Sequence, residues 1–172
     1  MMRRRLPCWL CLVLALGLVS AGTPPAIAGC YDRDDAGQQT RFRVSGGVVE
    51  DIKTGLIWQR CTFGTQWDDK EGCVGEVATV TLDQALAAEA DGWRVPSGPQ
   101  LETIVDIDCG SPVVDRAVFD DISPDEEGHA KYWTTTPMGM LDLYWNFDFT
   151  DGQADANSRG IQLAVRFVRA KR

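Results

Sequence analysis

Histidine is nearly absent from this chain: His129 is the only one in 172 residues. A cysteine–histidine nucleophile would have to combine it with a free thiolate. It lies in the acidic stretch from Ser123 to Lys131, so it reads as a solvated loop residue. The G-x-S-x-G turn of a serine nucleophile is missing, and so is any glycine loop that cradles phosphate. No C-x-x-C follows residue 28, which removes the paired knuckles of a structural zinc site. Internal repeats, heptads, collagen-like triplets and low-complexity tracts are absent as well.

Long apolar runs are equally scarce. The one candidate, Leu6 to Val19, covers about 14 residues, short of the roughly 20 that cross a bilayer. Arg3, Arg4 and Arg5 precede it, and Ala26-Ile27-Ala28 closes it with the small-x-small pattern of a signal-peptidase site. Residues 1–28 therefore read as a cleavable export signal and not as an integral membrane segment. An alternative is that Ile27-Ala28-Gly29-Cys30 acts as a lipobox and Cys30 carries lipid. Ser20 to Ala26, with two prolines, separates that motif from the apolar run.

Positive charge is short too. Three of the 17 basic residues leave with the signal, so 14 face all 25 acidic ones, a net of −11. Such a domain is repelled by phosphate backbones, heparin-like polymers and anionic membranes, which excludes nucleic acid as a partner.

Six cysteines remain to be placed, and Cys8 and Cys11 fall inside the signal. The mature chain keeps Cys30, Cys61, Cys73 and Cys109, an even number suited to two disulfides in an oxidising periplasmic or secreted setting. Lipidating Cys30 would strand one of the other three thiols. Four cysteines allow three connectivities. Proximity favours Cys61 with Cys73, leaving Cys30 with Cys109.

Residues 29–41 are polar and read as an N-terminal arm, and 42–172 as one domain. Phe42 to Glu50 is a strand broken by a Gly46-Gly47 hairpin turn, and Leu56 to Gln59 is a second short strand. Thr81-Leu82-Asp83-Gln84 and Ser97-Gly98-Pro99-Gln100 are capping boxes, predicting helices to about Ala90 and about Asp106. Leu141, Leu143, Trp145, Phe147 and Phe149 alternate with Asp142, Tyr144, Asn146 and Asp148. Ile161, Leu163, Val165 and Phe167 alternate likewise. These predict two half-buried antiparallel neighbours, and the whole an α+β domain.

Four ordered landmarks resemble a known family. Asp51-Ile52-Lys53-Thr54-Gly55-Leu56-Ile57-Trp58-Gln59-Arg60-Cys61 resembles the "D-x-x-T-G-L-x-W-Q-R-C" opening of the Lcl C-terminal domain family. Trp93-Arg94-Val95-Pro96 is similar to its "W-R-L-P", Trp133-Thr134-Thr135-Thr136 to its "W-S-S-T", and Val165-Arg166-Phe167-Val168-Arg169 to its "V-R-x-V-R". Val95 and Ser97 depart from the usual Leu and Asn. The resemblance implies a single C-type lectin-like domain, related in fold to formylglycine-generating enzymes, with cysteines placed for the pairing above. Its expected role is recognition or adhesion at the bacterial envelope. The sulfated ligand known for one kind of member does not fit a charge of −11. Formylglycine-generating enzymes use reactive cysteines late in the chain, whereas none follows Cys109 here.

The expected function is a non-catalytic, exported lectin-like domain that binds a glycan or an envelope or surface protein. The alternative is an envelope enzyme. Binding residues concentrate on loops held by a rigid scaffold, so the segments near Met138 and from Asp151 to Gly160 are candidates. Asp151, Asp155 and Asn157 would supply polar contacts, and Tyr144 with Trp145 an aromatic surface. Trp67 and Tyr144 are further candidates for stacking on a sugar, while Trp93 and Trp145 read as core. Arg94, Arg166 and Arg169 read as partners of buried carboxylates. No cofactor is expected. Calcium is the one ion to weigh, because Asp106, Asp108, Asp115, Asp120, Asp121, Asp125, Glu126 and Glu127 supply hard oxygens. The stretch from Asp155 begins like an EF-hand loop but fails at Arg159 and Arg166.

Overall fold

The computed structural model describes residues 30, 40–139 and 141–171. The expected export signal and most of the arm lie outside the described residues. Gly46, at φ +54°, turns strand β1 (Phe42–Ser45) back onto β2 (Val48–Asp51), where the Gly-Gly pair predicts a hairpin. β3 (Leu56–Gln59) follows, then a small hairpin of β4 (Gln66–Asp68) and β5 (Gly72–Val74). Helices α1 (Leu82–Ala87) and α2 (Gly98–Glu102) start where the capping boxes place them. Thr81 and Ser97 accept from the backbones of Gln84 and Gln100, whose side chains reach back to the cap amides. Both helices stop earlier than expected. One 3₁₀ turn (Ile107–Cys109) precedes β6 (Lys131–Met138), β7 (Leu143–Asp148), β8 (Gln153–Ser158) and β9 (Val168–Ala170).

All strand ladders are antiparallel, in sheets ordered β1-β2-β3-β9, β4-β5 and β6-β7-β8. The fold is thus mostly β with two short helices. The last strand closes on β3, pairing Arg169 with Ile57. Cys30 lies 5.0 Å from Cys109 and Cys61 5.4 Å from Cys73, Cα to Cα, both as disulfide pairs.

The β6-β7-β8 sheet is covered on both faces. Side chains alternate across a strand, so Tyr132 and Phe147 share one face and Trp133 and Tyr144 the other. The first face packs on the larger core, with Leu101, Ile104, Val113 and Phe149. The second packs on a smaller core of Leu82, Ala85, Val95, Leu163, Val165 and Phe167.

Double coverage overturns the alternation read from 141–149. Asn146 and Asp148 are buried along with Phe147, whereas Leu141 is 78% exposed. The expected partner strand at 161–167 is also corrected. β7 pairs instead with polar β8. Residues 161–167 run as an extended segment between the two cores, held by bridges such as Val80 to Leu163 and Tyr132 to Ala164.

Candidate functional site

A cleft of about 400 Å³ opens beside the three-stranded sheet. Lys131 reaches it from β6 and Asn157 from β8. Gln162 and Leu163 come from the extended segment, and Asp125 and His129 from the loop before β6. Strands therefore hold one wall, and a turn holds the other. That turn is built by Asp125, whose Oδ1 accepts from the amides of Glu127 and His129.

His129 is not the free loop residue its surroundings suggest. Its Nδ1 lies 2.7 Å from Oδ2 of Asp148. Asp148 is nearly buried and also accepts from the amides of Ala130 and Thr150 and from Thr150 Oγ1. Burial alone would push the Asp148 carboxyl up, but the Thr150, Ala130 and His129 hydrogen bonds outweigh it and hold the carboxyl below its usual range. An ionised carboxylate only accepts, so Nδ1 of His129 carries a proton and Nε2 is left for other contacts.

Lys131 Nζ donates to Asp155 Oδ2 at 2.9 Å. This hydrogen bond raises the Lys131 ammonium above its ordinary value and lowers the Asp155 carboxyl. Lys131 stands opposite Asp148, and Asp155 stands opposite Asn146. The ion pair therefore crosses β7 diagonally. Asn146 beneath it is fully buried, and neither Nδ2 nor Oδ1 has a hydrogen-bond partner among the described residues. An unsatisfied buried polar group costs about 1–3 kcal/mol.

Of the residues expected to bind, the structure brings some together. Asn157 lines the cleft, and Asp155 joins it through Lys131. Asp151 sits in an exposed turn, accepting from Gln153 N, and does not line the cleft. Tyr144 lies directly across from Asn157. Trp145, one residue on, faces the opposite side of the sheet, so the two rings form no common surface. Residues 153–158 are strand β8 and not the expected loop. Their polar sequence hides a strand pinned by β7.

The other aromatic candidates are largely occupied. The Arg60 guanidinium lies 3.7 Å from the Trp67 ring, and Arg159 lies 5.7 Å from the Tyr144 ring. The fully buried tryptophans are Trp58 and Trp133. Trp145 is half-buried and belongs to neither core cluster, while Trp93 packs at the edge of the smaller one. Trp93 also lies under Arg169 at 4.4 Å and lines a second groove with Phe63, Gln59 and Asp91.

The acidic residues do not converge. Asp106 caps the 3₁₀ turn, Asp115 is buried, Asp121 binds Arg166, and Asp125 builds its turn. Among the described residues, the trios within metal-ligating reach are Cys30, Asp106, Cys109 and Cys61, Cys73, Asp121. Their sulfurs are tied up in the disulfides.

Among the residues lining the cleft, sequence reasoning passed over Lys131 and Gln162, and read His129 as solvated. The burial of Asn146, outside the cleft lining, was hidden by assignment to an exposed face. The His129–Asp148 contact spans 19 residues and leaves no local pattern.

The landmark residues prove structural. Trp58, Trp133, Asp51 and Arg166 are all fully buried. Arg166 pairs with Asp121, as expected of a landmark arginine, while Arg169 stacks on Trp93. Fold and site together define a disulfide-fastened, mostly β domain whose middle sheet carries a polar cleft. The chain belongs to the Lcl C-terminal domain family, which matches residues 47–169. A search of curated proteins finds no match.

Proposed function

We propose that the protein is an exported, non-catalytic recognition domain of lectin-like architecture, binding a glycan or an envelope or surface protein in this cleft. The observation that carries the reading is the cleft itself. Asn157 and Lys131, from strands, and Gln162, from the extended segment, offer hydrogen-bonding groups to one concavity. Ligand sites combine such convergent polar groups with apolar lining, here Leu163, Ala164 and Ile161. The test is a screen of purified protein against glycans and envelope proteins, with and without calcium. Asn157→Ala should weaken any binding found, at an unchanged melting temperature. Asp151→Ala should leave it intact. Loss with Asp151→Ala alone would move the site to the turn after β7.

A second reading, an envelope enzyme, draws on one observation. A histidine held through Nδ1 by a buried carboxylate is the arrangement of an oriented general base. An enzyme of this kind would hydrolyse chromogenic esters or glycosides, and His129→Ala would abolish the turnover. A silent substrate panel leaves recognition as the function.

A further inference from the structure

We propose that the groove beside Trp93 is a second binding site, and that it takes a neutral pyranose ring laid flat on the indole. The groove measures about 510 Å³ and shares no lining residue with the cleft. What fills one is therefore independent of what fills the other.

Four segments meet there. Gln59 comes from the end of β3, and Phe63 and Gln66 from the loop before β4 and its first residue. Asp91 and Trp93 come from the turn after α1, and Phe167 from the stretch before β9. The walls are pinned. Phe63 N donates to Val165 O, and Phe63 O accepts from Ala78 N. Asp91 and Gly92 take successive left-handed conformations, at φ +53° and +82°. Trp93 N closes that turn on Ala90 O at 2.8 Å. Arg169, which does not line the groove, lies 4.4 Å from the indole and backs it. The ring is held in place before any ligand arrives.

The floor is aromatic. Phe167 is buried, and Phe63 and Trp93 are half-buried. Around it stand Gln59, Gln66 and Asp91, whose side chains have no hydrogen-bond partner among the described residues. Two carboxamides offer donors and acceptors, and a carboxylate accepts only. A ring of hydroxyls, each both donor and acceptor, answers that set. A pyranose with equatorial hydroxyls also keeps its axial C–H bonds on flat faces, and the negative π face of an aromatic ring attracts them.

Other occupants match less of the groove. Asp91 is the one charged residue among the described lining, so sulfated, phosphorylated or uronic sugars meet repulsion and no cation. A quaternary ammonium would use the rings and Asp91 but leave both carboxamides unpaired. A proline-rich peptide also docks on aromatic grooves. Its backbone has no N–H to give, and Asp91 would stay without a donor.

The test titrates the ¹⁵N-labelled protein with cellotriose, built of gluco-configured rings, and with the β-1,4-linked trimer of glucuronic acid. Tetramethylammonium chloride and decaproline complete the set. The indole N–H signal of Trp93, assigned by its loss in Trp93→Phe, should shift with cellotriose at millimolar concentration. The side-chain NH₂ signals of Gln66, assigned through Gln66→Ala, should shift with it. The glucuronic trimer should bind several-fold more weakly. Asp91→Gly should bind cellotriose about tenfold more weakly, because it removes a charged acceptor. It should still fold, because glycine adopts that backbone freely. Gln66→Ala, at an exposed position, should weaken binding as well and serves if Trp93→Phe fails to fold.

Unchanged affinity in both Asp91→Gly and Gln66→Ala, or equal affinity for the glucuronic trimer, overturns the proposal. Tetramethylammonium or decaproline shifting the Trp93 signal as strongly as cellotriose overturns the sugar assignment. Shifts confined to Asn157 and Gln162 place the sugar in the cleft and overturn the groove as its site. Silence of the groove signals with cellotriose also overturns the proposal, and the cleft is then judged on its own panel alone.

Discussion

Asp121 accepts from Thr62 N and Oγ1, from Thr65 Oγ1 and from the Arg166 guanidinium. Arg166 is fully buried and also donates to the carbonyls of Gln59 and Arg60. Burial would raise the Asp121 carboxyl, but the Arg166 charge and the Thr62 and Thr65 hydrogen bonds together hold it below its ordinary 3.8. Asp121→Asn leaves the buried cation uncompensated, so urea unfolding should show a loss of about 3–5 kcal/mol at pH 7. A depressed folded pKa stabilises above the unfolded value. That contribution is complete above about pH 4 and is lost as pH falls through the folded value. Asp51, depressed mainly by Arg41 against its burial, acts in the same direction. Wild-type protein should therefore hold a flat melting temperature above pH 5 and lose it below pH 4, and Asp121→Asn should show a shallower acid limb. Gly64 adds a steric case. Its φ is +101°, and a Cβ there would stand 2.5 Å from Glu76 O and Ala78 N. Gly64→Ala should destabilise by more than about 1 kcal/mol, measured in the same unfolding experiment.

Elements differ in how much of them the amino-acid order reveals. The two capping boxes, the Gly46-Gly47 hairpin and β3 are local patterns, and each forms where the pattern predicts. Thr81→Ala and Ser97→Ala should each cost about 1 kcal/mol, read as a fall in unfolding midpoint. Both helices end short of the expected Ala90 and Asp106, and neither last turn carries a basic residue to favour its C-terminal carbonyls. Strand β8, with the sequence Gln-Ala-Asp-Ala-Asn-Ser, carries no apolar period and exists through its ladder to β7. The 161–167 segment shows the reverse. Its alternation is real, with Leu163, Val165 and Phe167 in one core, yet only bridges form there. Alternation reports which side chains are buried and is silent on which strand lies alongside. The cleft was legible in part for the same reason. Asn157 stood out as a polar residue beside strong strands, whereas His129 and Gln162 reach the cleft through long-range packing that no single strand announces.

At the scale of the whole molecule, the two cysteine pairs fasten regions that share no sheet. Non-reducing peptide mapping should recover Cys30–Cys109 and Cys61–Cys73 peptides, and a Cys61–Cys109 peptide would contradict the geometry. Replacing Cys61 and Cys73 together with Ala should cost roughly 2–5 kcal/mol. Intact mass should place the mature N-terminus at Gly29 without acyl chains, and a diacylglycerol on Cys30 would make the protein a tethered lipoprotein. The closure of β9 on β3 has a kinetic consequence. Arg166 bonds the carbonyl of Arg60 across 106 positions of chain, and Val168 completes the first sheet beside Trp58. A chain emerging amino end first from a ribosome cannot complete that sheet until Val168–Ala170 is free. Contacts so distant in sequence also slow folding. The strands from Phe42 onward therefore wait for their last partner, and closure of the first sheet is a late event in the making of the domain.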